Sequence, residues 1–506
     1  MSIAWRQPGG EPVATEKHKP ALDGIGVLLK YTTCAVVAGL VMFACALNPD
    51  SGFSCSVACW MLALLFWISL WSWRALTNGL LDPYALFLMA AILFNGGQAI
   101  LEVFHLNEYG ILEGMFSPEL TLKTLFLVFM GIASLHFGAL VSVASARRDL
   151  RGISATRRGG SNLIRETRMV GWILLAISIV PAIMTTRDEI ATVLSGGYFA
   201  LAQREVVRGL DTAPTILALF LLPGVLFLLA GSSGYLPGIV AATAIMIPYS
   251  AIHFFLGGRF DAALPLLAFA WLWHRCIRPI PKSALIGAGV FLLVVVFPLV
   301  GSIRNISGES RLSPEFIVRS FFSVKNPIAA GVSEMGWSMR TIAHTLELVP
   351  RFRDFEWGVG YLYAIRFVTP NSFWSAQPDF PSHADWLMWT VDPVSASMGA
   401  GLGYSFIAEA YVNFGWLGVP FVLSFIGFCF GRFSIWGDRL DDRPRIAALG
   451  TFLAFFLVFA RSESLNVIRP LIWYCMLPFS MVRGLASLRK PAPQTLNHDA
   501  GSRRME

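Results

Sequence analysis

Apolar residues run in long blocks separated by polar connections, and the length of the blocks decides what they are. About 20 residues of helix cross the roughly 30 Å of hydrocarbon in a bilayer. Blocks near that length recur at 26–47, 53–73, 83–104, 121–145, 169–186, 213–232, 235–256, 260–275, 283–301, 416–433, 446–460 and 470–486. The short alternating strands of a membrane β-barrel are not part of this pattern. It predicts an all-α polytopic membrane protein with about twelve transmembrane helices. The first block follows a polar N-terminus without a small-residue cleavage site, so it reads as a retained span.

One connection differs from the rest. Residues 302–403 form a single long loop, and a loop of that length usually carries function. Within Pro314–Leu348, apolar residues fall at helical spacing (Phe316, Val318, Phe321, Phe322, then Ile342, Leu346, Leu348), which predicts short helices lying on the bilayer or on the spans. A Trp- and Pro-rich stretch follows from Trp357 to Pro393; its rings suit the headgroup boundary and equally suit stacking on sugars. The resulting plan is a disordered N-terminus (1–25), a membrane domain (26–301), the long loop (302–403), three further spans (404–488) and a tail (489–506).

Charge then sets the orientation. The connection 146–168 carries seven arginines, whereas 105–120 has no Lys or Arg but has Glu108, Glu113 and Glu119. Basic loops stay on the cytoplasmic side, so both termini are expected in the cytoplasm and 302–403 on the outer, periplasmic face. The net charge of +7 is mainly this topological bias and does not call for a nucleic-acid partner. Hydrophobic residues form 55% of the chain and charged ones only 14%, which excludes a soluble enzyme. The seven cysteines all lie in or beside spans, so neither a structural disulfide nor a thiolate metal site is expected.

Some polar residues remain that topology does not explain. Glu409 and Asn413 sit four residues apart where the long loop returns to a span, and a carboxylate there is costly unless paired or wetted. Glu409 is the leading candidate for a base, with a helix-start carboxylate as the plainer alternative. Glu334, Asp385, Asp392 and His344 are weaker loop candidates. Arginines recur on the face expected to be outside: Arg187, Arg204, Arg208, Arg259, Arg304, Arg340, Arg366, Arg461 and Arg469 among them. Taken singly, each fits snorkelling or a salt bridge. As a set, forked guanidinium donors point to an anionic ligand, and a diphosphate matches their geometry. Arg259 and Arg461 are the most telling because they occupy very short turns, where the positive-inside bias should exclude them. Arg259 could pair locally with Asp261. With no HExxH, no DxD, no Walker loop and scattered histidines, neither a metal nor a nucleotide or other cofactor is expected.

Four segments together resemble a known family: GGRF (257–260), GVGYLYAIRFVTPNSFW (358–374), SFIAEAYVNFGWLGV (405–419) and ARSES (460–464). They look like the Wzy-type O-antigen or oligosaccharide repeat-unit polymerases. The resemblance implies a GT-C-like membrane glycosyltransferase of the bacterial inner membrane. Such an enzyme transfers a growing glycan from undecaprenyl diphosphate to a lipid-linked repeat unit, with a flippase and a chain-length regulator as partners. On that reading Glu409 and Arg259 are catalytic. Arg204, Arg208, Arg304, Arg340, Arg366, Arg461 and Asn413 bind the diphosphate and glycan. A lipid-linked oligosaccharide flippase or other transporter remains the alternative outside the enzymes. An O-antigen ligase, which shares the donor, remains the alternative within them.

Overall fold

The computed structural model describes residues 24–49, 52–77, 79, 81–152, 163–203, 209–304, 326–369, 382–438 and 441–489, with isolated positions between 306 and 322. The termini expected to be disordered lie almost wholly outside these residues, as do Arg204 and Arg208.

Every regular element among the described residues is helical. The first half contains α1 (Gly24–Leu47), α2 (Gly52–Thr77), α3 (Pro83–Val103), α4 (Pro118–Gly152) and α5 (Ile164–Gly196). Next come α6 (Ala213–Ala218) and α7 (Leu221–Ala230), which share one expected span, then α8 (Leu236–Leu256) and α9 (Arg259–Cys276). The span expected at 283–301 is α10 (Lys282–Phe291), a π turn and α11 (Phe297–Ile303). Among the described residues, eleven helices are long and apolar enough to cross a membrane, against about twelve expected. The difference is α9, which has the length but carries Arg259, Asp261 and Arg275 within its 18 residues. Those charges sit at its two ends, and the 18 residues between α8 and the C-terminal helices reach about 27 Å.

The described residues of the long connection form short helices. They are α12 (Pro327–Gly336), α13 (Met339–Leu348), α14 (Val359–Arg366), α15 (His383–Val391) and α16 (Pro393–Ser397). Side chains of Asn326 and Ser382 cap α12 and α15 by accepting the Ala329 and Asp385 amides. Helix α12 packs on α3, and α13 packs on α4. Of the apolar positions picked from the sequence, Ile342 is buried, whereas Val318 and Phe322 are exposed.

The chain returns through α17 (Phe406–Gly437), α18 (Arg443–Phe456) with a 3-10 extension to Arg461, α19 (Leu465–Pro470) and α20 (Leu477–Leu488). Helix α17 starts ten residues before the expected span at 416, because Ser405 caps it and the break comes later, at Gly415 (φ 65°). The segment 406–414 is therefore a buried helical piece leading into the span. Helices α4 and α17 form the most extensive pair. A Cβ on Gly138 would stand 1.8 Å from the Ser424 carbonyl, and one on Gly427 1.9 Å from the Leu135 carbonyl. Between lipid-facing helices there is little hydrophobic drive, so backbone approach of this kind supplies the packing.

Candidate active site

The turn joining α8 to α9 begins the site. Gly257 ends α8 in the left-handed region (φ 103°), and the Gly257 and Gly258 amides both donate to the His253 carbonyl. The reversal places Arg259 at the first position of α9, facing a cavity of about 470 Å³. Arg304, at the end of α11, and Arg461, at the end of the 3-10 turn, line the same cavity. Three of the arginines singled out from sequence, drawn from positions up to 200 residues apart, thus meet.

Glycines make the room for them. A Cβ on Gly301 would lie 2.2 Å from the Arg259 guanidinium, one on Gly257 2.8 Å from the Arg304 Cβ, and one on Gly403 3.2 Å from the Arg461 guanidinium. Aromatic faces support two of the cations. Arg304 lies 5.8 Å from the ring centres of both Tyr198 and Phe199, and Arg461 lies 4.9 Å from Phe260. Arg259 is buried and donates to Glu334, while its Nε has no partner. Its carboxylate partner is thus Glu334 across the cavity, in place of the neighbouring Asp261 expected from sequence. Asp261 lines the cavity rim. Burial raises the Tyr198 hydroxyl above its ordinary pKa, so it remains a neutral donor there. Among the described residues that line it, three guanidinium groups and two carboxylates share a partly desolvated space, where like charges disfavour one another.

A second, buried cluster adjoins this cavity through the turn 461–464. Glu463 accepts from His383 Nδ1 at 2.5 Å and from the His383 amide at 3.1 Å. The other imidazole nitrogen lies 2.9 Å from Glu356, which also accepts from Arg353. Burial opposes a charge on His383, but hydrogen bonds and charge from both carboxylates override it and raise its pKa to about 10. Glu356 is held below its ordinary pKa despite burial, because His383 and Arg353 flank it. Glu409 is buried and accepts from both the amide (2.9 Å) and the hydroxyl (2.5 Å) of Ser464. Asn413 Nδ2 donates to the Glu409 backbone carbonyl at 2.9 Å, so these two residues do share a helical turn. His383, Glu409 and Glu463 also present donor atoms within 4.8 Å of one another, a grouping that sequence inspection did not anticipate. Within this grouping the imidazole contacts Glu463 as well as Glu356, and Glu409 accepts from Ser464.

Comparison with known families decides what this arrangement belongs to. A family model for the O-antigen polysaccharide polymerase Wzy matches residues 31–488. The chain belongs to that family. No curated protein and no solved structure matches it. Wzy-family proteins are glycosyltransferase-like polymerases that act on lipid-linked oligosaccharide repeat units in membranes, and this one is a multi-pass membrane protein.

The expected site residues of this Wzy-family chain separate into groups. Arg259, Arg304 and Arg461 share the cavity. Glu409 and Asn413 lie in the buried cluster and do not line it. Arg340 sits elsewhere, 5.2 Å from the Trp337 ring and within the field of Asp392 and Glu113. Arg366 is exposed at the end of α14. Sequence reasoning missed Tyr198, His383, Glu356 and Glu463. Only Glu463 carried a visible signal, an acid two residues from Arg461 in a short turn between spans.

Proposed function

We propose that the chain polymerises O-antigen or a related exopolysaccharide at the outer face of the bacterial inner membrane, with both termini cytoplasmic. It transfers a growing glycan from undecaprenyl diphosphate to a hydroxyl of the next lipid-linked repeat unit, as a GT-C-like enzyme. The observation that carries this reading is the convergence of Arg259, Arg304 and Arg461 on one cavity.

The acceptor oxygen attacks the anomeric carbon, and the bond from that carbon to the diphosphate oxygen breaks. The electron pair leaves with the diphosphate, whose growing charge the preorganised guanidinium groups stabilise. Diphosphate is a good leaving group, and three fixed cations supply the charge that a metal provides in other transferases, so the step needs no metal. The acceptor proton passes to a carboxylate at the cavity; Asp261, on its exposed rim, is free of the Arg259 contact that commits Glu334. Glu409 acts as a positioning residue: by holding Ser464 it fixes the turn that carries Arg461. A flippase supplies the lipid-linked units and a chain-length regulator limits the product.

Polysaccharide ladders in a deletion strain test this. Arg259→Ala, Arg461→Ala and Asp261→Asn should each leave a single repeat unit on the acceptor lipid, with the protein still present in the membrane. Wild-type ladders in Arg259→Ala and Arg461→Ala would refute the assignment. Loss of every repeat in the deletion strain would instead indicate a transporter or a ligase.

A further inference from the structure

A second cavity, of about 460 Å³, lies between α5 and α8 and is almost wholly apolar. Ile183 and Ile190 of α5 form one wall, Ile245 and Ile252 of α8 form the other, and Leu221 of α7 is the floor. Ile183 is 64% exposed, so the groove opens sideways along two membrane-crossing helices and faces lipid. Its occupant is therefore a chain from the bilayer.

The groove is polar at one end only. Arg187 of α5 and His253, in the last turn of α8, line it there, whereas Ile179 and Ile245 lie about two turns deeper. That end is also where the arginine cavity begins. The His253 carbonyl accepts the Gly257 and Gly258 amides at 3.2 and 2.9 Å, and both glycines line the arginine cavity. Asp261 of the cavity lies within electrostatic reach of Tyr249 and His253 of the groove. One helix thus presents an apolar trough and then, a single turn later, a set of cations. A phospholipid brings two acyl tails and a single phosphate, whereas the lining is one trough that ends beside three guanidinium groups. A single long apolar chain ending in a diphosphate matches one trough followed by a cluster of cations.

We propose that the groove between α5 and α8 holds the polyisoprenoid chain of the lipid-linked substrate, entering beneath Arg187 and His253, while its diphosphate occupies the arginine cavity. This rests on the reading of that cavity as a lipid-diphosphate site. The groove then selects for chain length, a role separate from catalysis.

The test is equilibrium binding to the full chain in phosphatidylcholine nanodiscs, using undecaprenyl diphosphate and farnesyl diphosphate as probes. Shortening an apolar ligand in a fitted pocket typically weakens it by about tenfold or more, so the long chain should bind at least about tenfold more tightly. Ala244 faces the groove and is exposed, so Ala244→Trp fills it without disturbing the core. That variant should lose the preference for the long chain while keeping its affinity for farnesyl diphosphate. Ile183→Trp, from the opposite wall, should do the same and serves if Ala244→Trp fails to assemble. Ile247→Trp, on α8 but outside the groove, should keep the preference. If the unaltered protein binds both probes equally, bulk acyl chains fill the groove as well as isoprenoid does and the proposal falls, while the cavity reading stands. If it binds neither probe, both fall. Retention of the preference in both Trp variants overturns the groove alone.

Discussion

Replacing His383 by glutamine removes the one cation between Glu356 and Glu463 and leaves two buried carboxylates facing each other. The cost follows from two routes. Removing one partner of a buried ion pair typically destabilises by about 3–5 kcal/mol. Independently, the interactions that raise His383 from 6.5 to about 10 correspond, at about 1.36 kcal/mol per pH unit, to roughly 5 kcal/mol. The two agree in order of magnitude. The sign with pH is fixed as well. Below 6.5 the imidazole is charged in both the folded and unfolded chains, and the full stabilisation is present. As pH rises towards 10 only the folded chain still holds the proton, and the stabilisation is progressively lost. Thermal unfolding in detergent, followed by tryptophan fluorescence at fixed scan rate, should therefore show a midpoint that falls between pH 6.5 and 10. His383→Gln should start lower by several degrees and be flat across that window. A wild-type midpoint that rises over this range, or a glutamine variant as stable as wild type, would refute the reasoning.

Other consequences of the geometry are equally direct. Gly301→Ala drives a methyl into the Arg259 guanidinium and should abolish polymer ladders with little change in protein level, whereas Gly287→Ala, with open space around it, should be silent in the same assay. Ser464→Ala removes the hydroxyl donor to the buried Glu409 carboxylate, keeps the amide donor, and should lower stability by about 1–3 kcal/mol, measured as a shift in unfolding midpoint; an unchanged midpoint would show that the hydroxyl does not hold Glu409 there. Gly427→Leu separates α4 from α17 and should prevent accumulation of the protein in membranes, read by immunoblot.

Legibility in the sequence followed the range of the interaction. The spans were readable because each is a contiguous apolar block, and α9 was readable as a helix although its terminal charges reduce its apolarity. Arg259 and Arg461 stood out because short turns on the side expected to be outside should not carry arginine. Their convergence with Arg304 was not readable, since it depends on how three turns pack. Arg340 and Arg366 lacked that short-turn signal and lie elsewhere, and a guanidinium in a long loop looks alike whether it meets a ligand or a tryptophan. Glu409 was recognisable as an expensive carboxylate, but its partner Ser464 is 55 positions away. His383 and Glu463, 80 positions apart, looked like ordinary loop and turn residues. No periodicity reports a contact of that kind.

The turn 461–464 also sets a timetable. Chains emerge at about 5–20 residues per second, N-terminus first. Arg259 and Arg304 reach the membrane early, yet Arg461, Glu463 and Ser464 are made only after about 160 further residues, roughly 8–32 s later at that pace. During that interval Glu409 is already synthesised without Ser464, and His383 without Glu463. The nascent protein is thus an unfinished lock. The turn 461–464 closes it, and on the proposed function a product that stops short of residue 464 should form no polymer ladders.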